Sequence, residues 1–241
     1  MAHREDPPAP APPRGDRRTT EGAAGTAAVL VPPRPTLETL REAAAACRAC
    51  DLWERGTQTV FGEGARGADV VFVGEQPGDR EDREGHPFVG PAGRLLDELL
   101  AAIDLDRGKV YITNVVKCRP PGNRDPLPHE IEACAPYLER QLTLIKPKVV
   151  VTLGRYSMAR FFPGASISKI HGQPRRIGNT LYFPMYHPAA ALHRSDLMAT
   201  VKADMLKIPA LLQEARTAPQ DGADSSTAQE EAPVQLGLFD L

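Results

Sequence analysis

The chain has 241 residues, 24 prolines and 5% aromatic residues, and its formal net charge is −2. This length allows one domain or two small ones. No run of about 18 apolar residues occurs, which excludes a membrane-spanning helix. The N-terminus lacks the apolar segment of a secretion signal, so we expect a cytoplasmic protein. Four cysteines do not make a disulfide scaffold at this length, and a near-neutral chain is by itself an unusual partner for nucleic acid.

The charge is unevenly distributed along the chain. Residues 1–35 hold eight of the prolines and a net charge of +1, and residues 214–241 carry −5, which leaves +2 for residues 36–213. Residues 1–35 and 214–234 are too poor in apolar side chains to offset the entropy of ordering. We therefore predict a disordered leader over 1–35, a weakly basic folded domain over 36–213 and a disordered acidic linker over 214–234.

Apolar patterns within the domain alternate between the period of a strand and the period of a helix. Strands alternating with helices predict an α/β fold, with a parallel sheet covered on both faces. The predicted strands are 68–74, 109–116, 147–154 and 179–185, and the predicted helices are 36–46, 91–103, 128–145, 155–162 and 199–213.

Three loops of this predicted sheet carry most of the polar and glycine-rich sequence. They follow the first, second and fourth strands, at residues 74–78, 113–121 and 185–194. Ligands of parallel α/β sheets bind beyond the carboxyl ends of the strands. The sequence therefore predicts that these loops converge on one active site.

The cysteines form a pair, C-x2-C, followed after 67 residues by a second pair with 15 residues between its members. Such a set can hold one metal centre, and four thiolates fit zinc or a [4Fe–4S] cluster equally well. Two buried free cysteines plus a redox pair are the alternative. The four candidate ligands are Cys47, Cys50, Cys118 and Cys134.

The loop 117–128 combines prolines with three cations, Lys117, Arg119 and Arg124. Prolines at 120, 121 and 126 favour an extended loop. A loop of this kind next to a ligand site could hold phosphates, and an ordinary solvated charged loop is the alternative.

Four motifs occur in a fixed order: GEQPG at 74–78, PFVGPAG at 87–93, TNVVKCRPP at 113–121 and HPAAAL at 187–192. Together with the cysteine spacing they resemble the family 4 uracil-DNA glycosylases, the iron–sulfur branch of that superfamily, over about residues 37–213. The resemblance implies a three-layer α/β/α fold with a four-stranded, mainly parallel central sheet. It also implies a structural [4Fe–4S] cluster on the four cysteines, and hydrolysis of the bond between uracil and deoxyribose at the start of base excision repair.

The resemblance assigns roles around a uracil that is flipped out of DNA. Phe88 would stack on the flipped ring, and Asn114 would pair with uracil N3–H and O4, a pattern that cytosine reverses. His187 would donate a hydrogen bond to O2 as negative charge develops there. Without the motifs, these three residues would be interpreted as a core phenylalanine, a strand-end asparagine and a loop histidine.

The first motif supplies the candidate carboxylates. Glu75 is the first choice for stabilising the sugar cation or orienting water, and Asp79 is the second. Gly74 and Gln76 are expected to contact the substrate, and the Gln76 amide can hold a water or uracil but cannot act as a base. Glutamine here also occurs in a sister branch that captures uracil-DNA covalently through a histidine in an inserted basic loop. That loop is absent here, so we predict turnover without a covalent adduct.

Residues beyond the pocket are expected to grip uracil-containing DNA, single- or double-stranded. Leu192 is the candidate wedge that fills the vacated stack, with Arg194 beside it on a phosphate; a buried leucine at a helix start is the alternative. We expect a monomer that works at the bacterial nucleoid. One alternative is a non-catalytic iron–sulfur module of the same fold that binds DNA or senses damage, and the other is an enzyme of this fold with a different base specificity.

The last residues turn apolar again after the acidic linker. The segment QLGLF at 235–239 resembles the peptide that binds the bacterial sliding clamp, and the predicted docking peptide spans 235–241. A tail that folds back on its own domain is the alternative. The residues expected to enter the clamp are Gln235, Leu236, Leu238 and Phe239.

Overall fold

Four apolar runs become the central strands of one sheet in the computed structural model, which describes residues 26–217. In chain order the strands are β1 (Glu63–Gly64), β2 (Val70–Gly74), β3 (Tyr111–Asn114), β4 (Val149–Leu153), β5 (Arg175–Ile177) and β6 (Thr180–Met185). Their order in the sheet is β1-β3-β2-β4-β6-β5. Every residue of β2, β3 and β4 is buried, as expected for parallel strands covered on both faces.

The prediction of a four-stranded sheet was incomplete. The four central strands, β3, β2, β4 and β6, are parallel as predicted. However, β1 and β5 add antiparallel edges and make the sheet mixed and six-stranded. Both edge strands are short, and β5 consists of exposed residues, so neither has the apolar alternation by which a strand is recognised.

Helices cover the sheet on both sides. They are α1 (Leu37–Ala45), α2 (Leu52–Arg55), α3 (Asp79–Glu84), α4 (Pro91–Ala101), α5 (Pro128–Ile145), α6 (Arg155–Ala159), α7 (Ile167–Ile170), α8 (Pro188–His193), α9 (Ser195–Met205) and α10 (Ile208–Thr217). The predicted closing helix 199–213 is thus two helices with a break at residues 206–207, and α3 was not predicted. All six residues of α3 are charged, so it has no apolar periodicity.

Two apolar layers hold the helices on the sheet. One contains Phe72 and Val151 of the sheet with Leu96 of α4 and Val201 of α9. The other contains Val71 and Val150 with Leu138 of α5, and extends to the cysteines. Alternate residues of each strand therefore point to opposite layers, which gives the predicted three-layer α/β/α arrangement.

Two short segments next to the predicted domain bounds of 36 and 213 also contact the core. Residues 27–30 form a 3-10 turn in which Ala27 is buried against Leu40 and Tyr137. The last helix continues to Thr217, and its Ala215 is buried. The division of the chain at 36 and 213 stays a prediction. Residues 1–25 and 218–241, with the docking peptide, lie outside the described residues.

Within residues 26–217, no helix is both long and apolar enough to cross a membrane.

Candidate active site

The carboxyl ends of the parallel strands open into one cavity of about 870 Å³. Its lining comes from the loops after β2, β3 and β6, together with the segment that leads into α4. The predicted convergence of loops is confirmed. The sequence-predicted residues that line it are Glu75, Gln76, Asp79, Phe88, Asn114, His187 and Leu192.

Asn114 ends β3 directly beside Gly74, its partner in the register of β2. Its side chain is buried, and its Oδ1 atom has no hydrogen-bond partner among the described residues. A buried amide oxygen without a partner costs free energy, and this one lines the cavity. The site is therefore prepared to accept a hydrogen bond from a ligand N–H.

Gly74 makes room for two of the predicted site residues. A Cβ atom at this position would lie 2.3 Å from Asn114 Oδ1 and 2.6 Å from Phe88 Cζ. Both distances are far below van der Waals contact, so only glycine allows the amide and the ring to lie together at the floor of the cavity. The predicted importance of Gly74 thus has a steric explanation.

Phe88 is held in an unusual backbone conformation. Its φ is +55°, in the left-handed region that non-glycine residues rarely occupy. Its ring stacks on the imidazole of His187, with centroids 5.5 Å apart and planes inclined by 23°. With this backbone the ring packs on the apolar layer that contains Phe72 and Leu96, and its exposed edge lines the cavity.

His187 is neutral and has a defined tautomer. Burial lowers the pKa of its imidazole to about 4. Its Nδ1 atom accepts a hydrogen bond from the backbone N–H of Ala189 at 3.1 Å, so the ring proton is on Nε2. A neutral imidazole that presents an N–H to the cavity can stabilise an oxygen on which negative charge develops.

The two candidate carboxylates lie in different environments. Burial raises the pKa of Glu75 to about 7; nearby Asp125 raises it further and Arg155 opposes the shift. Asp79 instead accepts hydrogen bonds from Arg83 and Arg119, the bond from Arg83 being the main reason that its pKa is lowered. Both oxygens of Asp79 are therefore engaged and anchor Arg119, whereas Glu75 is the cavity-lining carboxylate whose pKa is raised.

Gln76 also presents an acceptor to the cavity. Its Oε1 atom is buried and has no hydrogen-bond partner among residues 26–217. Together with Asn114 Oδ1, it makes two amide oxygens available to donors of a ligand or of water.

Lys117 was predicted to bind DNA, and that prediction was wrong. Its side chain is only 1% exposed, and its Nζ donates to Thr113 Oγ1, the Asn114 carbonyl and Gln141 Oε1 at 2.6–2.7 Å. Burial lowers the pKa of this amine to about 7. Lys117 therefore supports the end of β3 from inside, and cannot reach a phosphate.

The two arginines of the same loop are also engaged within the protein. Arg119 Nη1 lies 2.6 Å from Asp79 Oδ1. Arg124 forms a two-bond pair with the buried carboxylate of Glu130, at 2.6 and 2.9 Å. Since a buried carboxylate needs a partner, Arg124 has a structural task at the start of α5.

Leu192 lines the cavity, and Arg194 follows two residues later at the end of α8. The Leu192 side chain is 45% exposed, so the alternative of a buried leucine at a helix start is wrong. Arg194 is exposed and pairs with Asp196 at 2.6 Å. The structure thus leaves an apolar side chain at the position predicted for the wedge.

The four cysteines line a second, small cavity between α1, α2 and α5, with apolar neighbours that include Ala44, Leu52 and Val116. Backbone N–H groups of Ala49 and Lys117 donate to the sulfurs of Cys47 and Cys134 at 3.5 and 3.3 Å. Burial raises the pKa of Cys118 to about 11 and that of Cys134 to about 12. Among the described residues, no three potential ligands converge on a single metal ion.

Glu81 belongs to the site but was not predicted. Its Oε1 accepts hydrogen bonds from the backbone N–H groups of Val89 and Gly90 at 3.0 and 2.9 Å. Backbone N–H groups at the start of a helix have no acceptor within the helix. By accepting from these two, Glu81 fixes the segment that carries Phe88. The only sequence signal is its place within the charged stretch 79–84.

Comparison with known proteins agrees with this geometry. The model of the uracil DNA glycosylase superfamily matches residues 61–209. A type-4 uracil-DNA glycosylase of Sulfurisphaera tokodaii is 46% identical over 183 residues, covering 72% of this chain and 83% of that protein. Proteins of the same description from Archaeoglobus fulgidus and Thermotoga maritima are 48% and 43% identical, over 67% and 71% of this chain and 86% and 92% of theirs.

Proposed function

Because the chain belongs to the uracil DNA glycosylase superfamily and is a uracil-DNA glycosylase of base excision repair, we propose that its cavity holds a uracil flipped out of DNA. The observation that carries this proposal is the partnerless Oδ1 of Asn114 at the cavity floor. It would accept from uracil N3–H while the amide NH2 donates to O4. Cytosine presents the opposite pattern at both atoms, so it would leave buried groups unpaired.

The proposed reaction breaks the bond between uracil N1 and deoxyribose C1′. As the bond electrons move to uracil, negative charge accumulates on its O2 atom. The Nε2–H of His187 would donate a hydrogen bond to this oxygen. Positive charge develops on the sugar, and the ionised Glu75 would stabilise it and orient the attacking water. Water adds its oxygen to C1′ and gives a proton to Glu75; Glu75 returns a proton to solvent and the uracil anion takes one up, which leaves neutral uracil and an abasic site.

DNA must deform for this reaction, since uracil is inaccessible within the stack. Flipping costs a few kcal/mol, which stacking on Phe88 and insertion of Leu192 into the vacated space would offset. Arg194, two residues beyond Leu192, is the proposed phosphate contact, and Arg119 would join it if Asp79 released it. We propose that the enzyme acts as a monomer at the bacterial nucleoid.

The test is excision from single- and double-stranded oligonucleotides that differ only in uracil or cytosine at one position. We expect an alkali-labile abasic site with uracil alone, several turnovers per enzyme, and no protein–DNA adduct after denaturation. A protein that binds these oligonucleotides but yields no abasic product would be a non-catalytic module. A denaturation-stable adduct would contradict turnover without covalent capture. It would make this chain similar to the covalently capturing branch with which it shares the glutamine at Gln76.

We further propose that the four cysteines hold a [4Fe–4S] cluster. Four sulfurs around an apolar cavity, with N–H groups donating to two of them, suit such a cluster. By count the four sulfurs also fit zinc, and the resemblance to the iron–sulfur branch is what favours the cluster. When bound, it would join α1 and α2 to the loop after β3, a structural task.

Removal of one cluster ligand, in Cys118→Ser, is expected to abolish the visible sulfur-to-iron absorbance and to lower the midpoint of thermal unfolding. Iron and acid-labile sulfide are the measurements, with four of each expected per wild-type chain. Thr59→Ala is the matched control, since Thr59 Oγ1 lies 3.9 Å from the same sulfur without being a ligand. A wild-type protein that is colourless and holds stoichiometric zinc would contradict the cluster.

The C-terminal segment is proposed to dock on a replication sliding clamp. This rests on the QLGLF sequence at 235–239 and the acidic linker before it. Deletion of residues 235–241 is expected to abolish binding to a purified bacterial clamp and to leave turnover on short oligonucleotides unchanged. Replacement of Gln235 and Phe239 together by alanine should have the same effect. Lost turnover would instead show that the tail belongs to the domain.

A further inference from the structure

Arg107, in the loop between α4 and β3, has all five of its N–H donors engaged around the segment that carries Phe88. Nη1 donates to the Pro87 carbonyl at 2.9 Å, and Nη2 donates to the Phe88 carbonyl. Asp97 accepts from Nε at 2.6 Å and from Nη2 at 3.5 Å, and Glu63 accepts from Nη1 at 3.2 Å. A planar guanidinium is the side chain that can satisfy such a set.

The backbone that Arg107 holds is the strained one. A left-handed φ at a non-glycine residue is unfavourable and persists only where its surroundings impose it. Here the Phe88 carbonyl lies between the guanidinium and the first turn of α4, where a Cβ on Gly93 would come within 1.6 Å of it. The same segment is fixed at His86, whose Nδ1 lies 2.6 Å from Glu63 Oε2.

We infer that Arg107 is a positioning residue for the uracil pocket, acting through Phe88. It holds the two carbonyls so that the left-handed turn, and with it the ring on which uracil would stack, is present before DNA binds. Glu63 and Asp97 orient the guanidinium from β1 and α4. This inference rests on the proposed stacking role of Phe88 and assigns Arg107 no contact with substrate.

The test is a double-mutant cycle on uracil excision with Arg107→Ala, Phe88→Ala and the double variant. Misplacement of a binding group by about 1 Å can cost about 10²-fold, so we expect Arg107→Ala to lower kcat/KM by about that factor or less. In the Phe88→Ala background the same change should have almost no effect, since coupled residues are non-additive. The loss of kcat/KM in Arg107→Ala should divide between kcat and KM in the same proportion as the loss in Phe88→Ala.

Two further variants keep the outcome decisive. Arg107→Lys retains a cation between Glu63 and Asp97, and hence the fold, but cannot span both carbonyls, so it should show the same non-additive loss. Arg66→Ala removes a surface arginine paired with Glu38 and should leave kcat/KM unchanged. Additive losses, or full activity in Arg107→Lys, would overturn the inference. If Phe88→Ala itself is fully active while wild type excises uracil, the stacking role fails and the glycosylase function stands.

Discussion

Asn114→Ala is expected to lower kcat/KM for uracil excision by about 10⁴-fold, the scale on which a site built to hydrogen-bond its substrate discriminates when that pairing is lost. The substitution leaves uracil N3–H and O4 without partners in a pocket that excludes water. Because the amide also fixes the plane of the base, the loss should appear in kcat as well as in KM. Single-turnover excision from a uracil oligonucleotide measures it.

The matched control is Asn179→Ala. Asn179 is an exposed residue in the turn before β6, at the end of the strand opposite the cavity. Its replacement should leave excision unchanged. A variant at Asn114 that retained activity within tenfold of wild type would remove the basis of the proposed base recognition.

Glu75→Gln is expected to reduce kcat by about 10³-fold, within the range that a positioned carboxylate contributes to such reactions. The ionised form is the active one. With a pKa raised to about 7 by burial, the wild-type rate should rise with pH through 7 and level off above it. The neutral His187, with its pKa lowered to about 4, should add no second change between pH 5 and 9. In Glu75→Gln the residual rate should not depend on pH in this range.

Thermal unfolding provides an independent check on Glu75. A carboxyl whose pKa is higher in the folded than in the unfolded protein stabilises the fold at low pH, and that contribution is lost as pH rises through 7. Glu75→Gln should therefore unfold at a higher temperature than wild type at pH 8, and at about the same temperature at pH 4. If the unfolding temperature of the variant still fell between pH 4 and pH 8 as it does in wild type, the titration would belong to another group.

The elements predicted correctly are those that follow from apolar patterns. The helix Pro128–Ile145 and the four central strands bury continuous apolar faces, so their sequences show the period of the structure. Strand β5 and helix α3 have no such face; their residues are exposed or charged. Tertiary contacts place them: β5 pairs with β6, and in α3 the buried Asp82 carboxylate accepts hydrogen bonds from the Thr57 N–H.

The candidate site shows the same division. Motifs placed Asn114, Phe88 and His187 on loops that do meet in one cavity. They could not show that Lys117 is buried, because a lysine among prolines and arginines is usually solvated. Its acceptors Thr113 and Gln141 lie on β3 and α5. Arg107 likewise binds carbonyl groups, which every residue has, so no residue type marks it as part of the site.

The ion pairs of Arg119 and Arg194 bear on how long the enzyme would stay on undamaged DNA. Each arginine has an aspartate partner inside the protein, so at the proposed contacts a phosphate would compete with a carboxylate that is already in place. Such an exchange adds less favourable charge contact than an unpaired cation would, and the affinity should fall less steeply with salt than the number of arginines suggests. Short residence at each normal base pair would follow, which suits a search for a rare lesion.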